Sequence, residues 1–406
     1  MKKSLIAVAV LGAFAGAAHA DDTIKLYGVV DAAVRSTSNV NPATGQGYTG
    51  FSQGLFNGSR FGIKGEEKLN DTMKAIYKLE AGFTIGTGAA DQQGQGLFGR
   101  EAWAGLQDAS LGSLTLGRQY GNFSDAIGTG DVFGEKHGNL VYSGNNGAAT
   151  NFPNQGDTVS ENGFMYQEMG YRWDNSILYA NKIGSVKFGL MHSFSGQPNG
   201  SAPNATLSNN VTSGQKATMN SASIGYVSSS FNVTVGYQTE HDASGFKHND
   251  VGFGANYMYG AKDGVYLSYF TSKYDAGFSR IGLGTNSGLA AAATATARQD
   301  KIATLSANKY VTDKLNLIGA IYHDGASNVV AAGDSGSRLG ELVTADYYLS
   351  ENTDAYVMAA HTKLNNALVN NGNGGNLTTG TGLVAGYVAP ASISVNTFMV
   401  GFRHRF

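Results

Sequence analysis

Hydrophobic and polar side chains alternate one for one along most of this chain. In Arg60 to Lys68, Phe61 and Ile63 share one face, and Arg60, Lys64, Glu66 and Lys68 share the other. The next segment sets Met73, Ala75, Tyr77, Leu79 and Phe83 against Lys74, Lys78 and Glu80. A period of two describes a strand with one apolar face. Sixteen such segments recur at about 24–35, 58–69, 72–84, 98–107, 112–121, 169–181, 184–195, 218–229, 230–241, 249–260, 263–274, 299–312, 313–325, 339–350, 353–364 and 395–406. Most have the length a tilted strand needs to cross a bilayer.

Short turns at 69–72, 107–112, 182–184, 228–230, 260–264, 312–313 and 350–352 alternate with longer polar segments such as 36–57, 122–168, 196–217, 275–298 and 365–394. That segregation predicts an all-β, 16-stranded antiparallel transmembrane β-barrel, with short periplasmic turns and long extracellular loops. A soluble β-sandwich has no reason to sort its loops by length. Side chains cannot fill a barrel of sixteen strands, so the charged face lines water and the apolar face meets lipid.

Composition agrees with this. The 406 residues hold 57 glycines, 41 Tyr plus Phe, five prolines and no cysteine, which suits turns and strands and excludes a disulfide framework or a thiolate metal site. Mean hydropathy of −0.18 fits strands with only one lipid-facing side. Lys2 and Lys3 precede an uncharged run, Leu5 to Ala18, that closes on Ala18-His19-Ala20, so 1–20 reads as a secretory signal peptide and 21–406 as the barrel. The run is short for a membrane-spanning helix. Of the net charge of −2, the signal contributes two positive charges, leaving −4 and no electrostatic case for nucleic acid.

Leu26-Tyr27-Gly28, Ser59 to Glu67 (SRFGIKGEE), Gly99-Arg100, Gly117-Arg118-Gln119-Tyr120-Gly121, Arg172 with Asp174-Asn175-Ser176, and the final Phe406 together resemble the Gram-negative general porins, particularly those of beta-proteobacteria. The resemblance covers essentially the whole chain after the signal. It implies a homotrimeric channel in the outer membrane, set among outer-membrane lipid and passing ions and small hydrophilic solutes. It also implies a third outer loop folded into the lumen, and a terminal aromatic, Phe406, read by the outer-membrane insertion machinery.

The third loop is 122–168, and Asp131 to Glu135 resembles the family's constriction segment. On residue types alone, its acids Asp125, Asp131, Glu135, Asp157 and Glu161 read as a solvated loop, the usual meaning of such a cluster. The resemblance sets Asp125, Asp131 and Glu135 opposite basic residues of the wall. Arg60 and Arg100 match the family, and Lys64, Lys74 and Lys78 join them by strand parity. Opposed charges across a narrow gap would orient polar solutes. Arg118 shares parity with Leu114 and Leu116, where a lipid-facing arginine costs about 2–4 kcal/mol. It is therefore a candidate for the trimer interface, with a bulge or strand end as the alternative.

Gly50 to Gly54 fits G-x-S-x-G and Gly94 to Gly99 fits G-x-G-x-x-G, but both fall in expected outer loops of an all-β chain, without the strand–turn–helix context their chemistry needs. The histidines show no metal spacing. No enzyme, cofactor or metal is expected. A surface barrel acting mainly as an adhesin or antigen is the alternative to a channel, and solute flux separates the two. The charge of −4 and the acidic third loop point to cations or to no strong ion preference.

Overall fold

The computed structural model describes residues 23–41, 45–91, 96–133, 169–194, 217–242, 244–278, 296–329, 332–370 and 391–406. The proposed signal, 1–20, and loop residues 134–168, including Glu135, lie outside them. The strands are β1 (Thr23–Asn41), β2 (Gln46–Gln53), β3 (Arg60–Lys68), β4 (Met73–Phe83), β5 (Ala90–Asp91), β6 (Glu101–Asp108), β7 (Gly112–Tyr120), β8 (Arg172–Ile183), β9 (Val186–Ser193), β10 (Thr218–Val227), β11 (Phe231–His241), β12 (Lys247–Met258), β13 (Gly264–Tyr274), β14 (Gln299–Tyr310), β15 (Leu315–Ser327), β16 (Ser335–Tyr348), β17 (Thr353–Asn366) and β18 (Ser392–Arg405).

All pairings are antiparallel, and β2 and β3 pair with successive halves of β1 while β5 only extends the edge of β4, so the eighteen strands make sixteen staves. The sheet closes where β1 meets β18, from Val29↔Arg405 to Thr37↔Thr397. Gly28 and Phe406 add a reciprocal backbone pair at 2.9 and 3.1 Å. No helix among the described residues is long and apolar enough to cross a membrane; the crossing is made by strands.

The facing is the reverse of a water-soluble protein. Val235, Val251, Leu267, Leu305, Ile321, Val343, Val357, Phe398 and Val400 are exposed on the outer surface. Thr234, Asp250, Ser268, Thr304, Asp324, Thr344, Asp354 and Arg403 alternate with them and are buried on the inside. Side-chain caps close the short turns: Asn70 Oδ1 accepts from the Thr72 and Met73 amides, both at 2.9 Å, and Asp108 Oδ1 from those of Ser110 and Leu111 at 2.9 and 3.0 Å.

The expected first loop, 36–57, is mostly sheet. β1 continues to Asn41 and hairpins into β2, with Ser36↔Thr49 and Val34↔Phe51 in register. Outward Ser36 and Thr49 share a 2.8 Å hydroxyl contact, so polar residues occupy both faces here and the apolar alternation disappears although the backbone still pairs. Gly50 to Gln53 consequently belong to a strand, not to an outer loop.

The third loop enters the barrel. A short helix, Asn122–Gly128, lies on the inner face of β10 to β13, with Phe123, Ala126 and Ile127 buried and Phe123 edge-on to Phe270 at 5.9 Å. Its seat needs glycine: a Cβ at Gly236 would meet Ala126 Cβ at 2.9 Å, and one at Gly254 would overlap the Ala126 carbonyl oxygen. Gly254→Val is therefore expected to leave the barrel closed but unseat the helix. Limited chymotrypsin digestion should then cut near Phe123 or Phe133, and unchanged protection would contradict this packing.

Candidate pore constriction

One half of the inner wall is built around Glu80. Its Oε1 accepts from Arg100 Nε at 2.8 Å and lies 3.7 Å from Arg60 Nη1, while Oε2 accepts from Tyr27 Oη at 2.8 Å and lies 3.3 Å from Lys78 Nζ. Lys78 also donates to Glu101 at 2.8 Å, and the other oxygen of Glu101 accepts from Trp103 Nε1 at 2.9 Å. Further round, Arg172 lies against the neighbouring rings of Tyr120 and Tyr171, 4.5 and 4.7 Å from their centroids, and donates to the Tyr120 hydroxyl. Lys74 pairs with Glu66 at 2.9 Å. Arg60, Lys64, Lys74 and Lys78 thus share one wall, as their parity requires, and Arg100, just ahead of β6, joins them through Glu80. Their central neutralising acid is on the strand beside them.

A second feature narrows the same region. Between β2 and β3 the chain leaves the sheet at 54–59 and turns inward. Asp31 holds this spur: Oδ2 accepts from the amides of Phe56 and Asn57 at 3.0 and 2.8 Å, and Oδ1 accepts from Tyr356 Oη at 2.7 Å. The Leu55 amide donates to the same Tyr356 oxygen at 2.7 Å. Arg403, paired with Asp354 at 3.0 Å, covers the Phe56 ring at 4.2 Å and donates to Asn57 Oδ1 at 3.0 Å.

The third loop reaches this spur from the opposite side. Val132 N donates to Ser306 Oγ at 3.1 Å, Asn256 Nδ2 to Thr129 O at 2.8 Å, and Tyr322 Oη to Asp131 Oδ1 at 3.3 Å. Phe133 then meets Phe56 at 5.8 Å. Asp131 is buried against the far wall, and Asp125 is exposed on the helix side away from it. That far wall carries acids of its own, among them Glu240, Asp250, Asp300, Asp324, Asp346 and Asp354 on β11 to β17. Several are ion-paired, including Asp300 with Arg298 at 2.7 Å and Asp324 with Arg338 at 3.2 Å. The polarisation is therefore between two walls as well as between loop and wall.

Arg118 keeps outward parity. It pairs in register with Ala102, on the side of Leu106, Leu114 and Leu116. A register shift between Gly117 and Gln119 marks a bulge there, and Arg118 is buried by donating to Gly99 O at 2.7 Å and to Asp174 Oδ1 at 2.5 Å. An outward arginine is thus covered within its own chain.

Sequence reasoning passed over Glu80, Glu101, Asp31, Tyr356 and Arg403 as site residues. Glu80 carried a signal, standing on the charged face between Lys78 and Arg60's partner position. The Asp31–Tyr356 contact joins residues 325 apart and carried none.

A family model described as Gram-negative porin matches residues 7–367. An outer membrane porin protein of Bordetella pertussis is 34% identical over 207 residues, 48% of this chain and 49% of its own length. Major outer membrane protein P.IB of Neisseria gonorrhoeae is 30% identical over 204 residues, 45% of this chain and 57% of its own. The chain spans about half the length of these curated relatives. Among solved structures, an anion-selective porin from Comamonas acidovorans superimposes with a TM-score of 0.64 over 95% of this chain and 100% of that one, at 19% identity, a likeness of fold.

Asp31→Ala removes the acceptor of two spur amides and of Tyr356, a loss on the order of 3 kcal/mol for buried bonds to a charged group. Urea unfolding in lipid vesicles should show a lower midpoint than the parent, and an unchanged midpoint would deny Asp31 its anchoring role.

Proposed function

Because the chain belongs to the Gram-negative porin family and localises to the outer membrane, we propose that it forms a water-filled diffusion channel for ions and small hydrophilic solutes. The observation that carries this reading is the closed barrel with its charged side inward, narrowed by the 54–59 spur and the third-loop segment. Family membership points to a channel rather than an enzyme. Liposomes containing the protein should swell in small sugars and progressively less in larger ones; absence of swelling from folded, inserted protein would contradict the reading.

The working unit is a homotrimer; a structural neighbour, OmpT of Vibrio cholerae, is described in a trimer form. Arg118 and Asp174 then lie at the subunit contact, on the outward face of β7 and β8. Arg118→Ala should lower the temperature at which the trimer dissociates on a gel, and an unshifted transition counts against that placement. Residues 1–20 act as the export signal, and Phe406 is the residue read by the insertion machinery before the barrel settles among outer-membrane lipids.

The preference is for anions, contrary to the expectation from net charge. Among the described residues, Arg60, Lys64, Lys78, Arg100 and Arg172 on the narrowed wall outnumber Glu80, Glu101 and the spur's anchor Asp31, and Asp131 is withdrawn to the far side. Total charge sums the whole chain, whereas permeating ions meet the narrowed lumen first. Arg100→Gln should move the reversal potential in a salt gradient towards cations, and a shift the other way would contradict the assignment.

A further inference from the structure

At the periplasmic edge of the narrowed wall, three lysines stand side by side on the inner face. Lys25 of β1 is directly opposite Lys64 of β3, and Lys64 is directly opposite Lys78 of β4. Cross-strand neighbours at these positions have their Cβ atoms about 5 Å apart, and like charges there are destabilising. The rows above and below are balanced differently: Glu80 answers Arg60 and Arg100, and Glu66 answers Lys74. In the lysine row Lys78 has Glu101 and Glu80, but among the described residues no carboxylate lies within ion-pair distance of Lys25 or Lys64. The Lys64 and Lys78 ammonium groups also converge on one ring, 5.3 and 5.8 Å from the centroid of Tyr27. Tyr27 donates its hydroxyl to Glu80, so it offers the ammoniums its face and not an oxygen.

We propose that Lys25, Lys64 and Lys78 form a binding station for small multivalent oxyanions of the phosphate class, at the periplasmic edge of the narrowed wall. This rests on the channel reading and deepens it by naming a solute class. An ammonium carries three donors and no acceptor, so three of them in a row leave many donors for a ligand rich in acceptor oxygens. A tetrahedral dianion can engage two or three ammoniums at once, which a chloride ion cannot do with comparable geometry. Its charge supplies what the wall lacks at this level. The row lies four residues along β3 from Arg60, so an anion leaving the arginines enters it next.

The test is calorimetric titration of inorganic phosphate into the full-length protein in detergent at low chloride, with KCl conductance of the same preparation recorded in planar bilayers. Lys64→Gln and Lys25→Gln should each weaken phosphate binding about tenfold or more, as expected for losing one charge-assisted contact, with heat-shifted gel mobility verifying that each variant is folded. Binding by the parent that survives both substitutions unchanged overturns the station, as does a parent that conducts KCl but binds no phosphate. Phosphate binding lost in the variants of a parent that does not conduct upholds the station and overturns the channel reading.

Discussion

In hydrocarbon no water can satisfy a peptide group, so each strand must pair on both sides, and the seam between β1 and β18 is where this chain meets that requirement. Once the seam is closed, the two faces of every strand have different solvents. The apolar residues are free to line the outside, and the polar ones must satisfy one another or water on the inside. The inverted burial pattern, with exposed leucine and valine and buried aspartate and arginine, follows from that closure.

Charges placed inward are worth little as isolated groups and costly if left without partners. The wall answers with shared acids. One carboxylate, Glu80, serves two arginines, a lysine and a tyrosine, and Asp354 serves Arg403 and Arg405 at 3.0 Å each. Shared partners hold long side chains in fixed positions, which a selective passage needs more than it needs net stability. The same economy fixes the two segments that narrow the lumen. The 54–59 spur is held through Asp31 and Tyr356, and the third-loop helix rests where Gly236 and Gly254 let backbone approach backbone.

How far this was readable in the sequence depends on how local the cause is. Alternation placed strands such as 230–241 and 263–274 within a residue of Phe231–His241 and Gly264–Tyr274, because facing and length are both set by neighbours in the chain. Alternation failed at 36–57, where both faces are polar and only backbone pairing defines the strand. Parity brought Arg60, Lys64, Lys74 and Lys78 to one wall but did not distinguish their partners, because Glu80 is set apart from other inward acids by groups on other strands and loops, Arg100 twenty residues on and Tyr27 on β1 among them. The spur was hidden for the same reason, since its anchor, Tyr356, lies on the far side of the seam.

The most direct test of this account is single-channel recording of the purified protein in a planar bilayer under a KCl gradient. The account predicts stepwise currents through an open pore, with a reversal potential displaced towards the chloride equilibrium potential by the basic wall at Arg60, Lys78 and Arg100. Folded, inserted protein that passes no current, or current that reverses near the potassium potential, would contradict it.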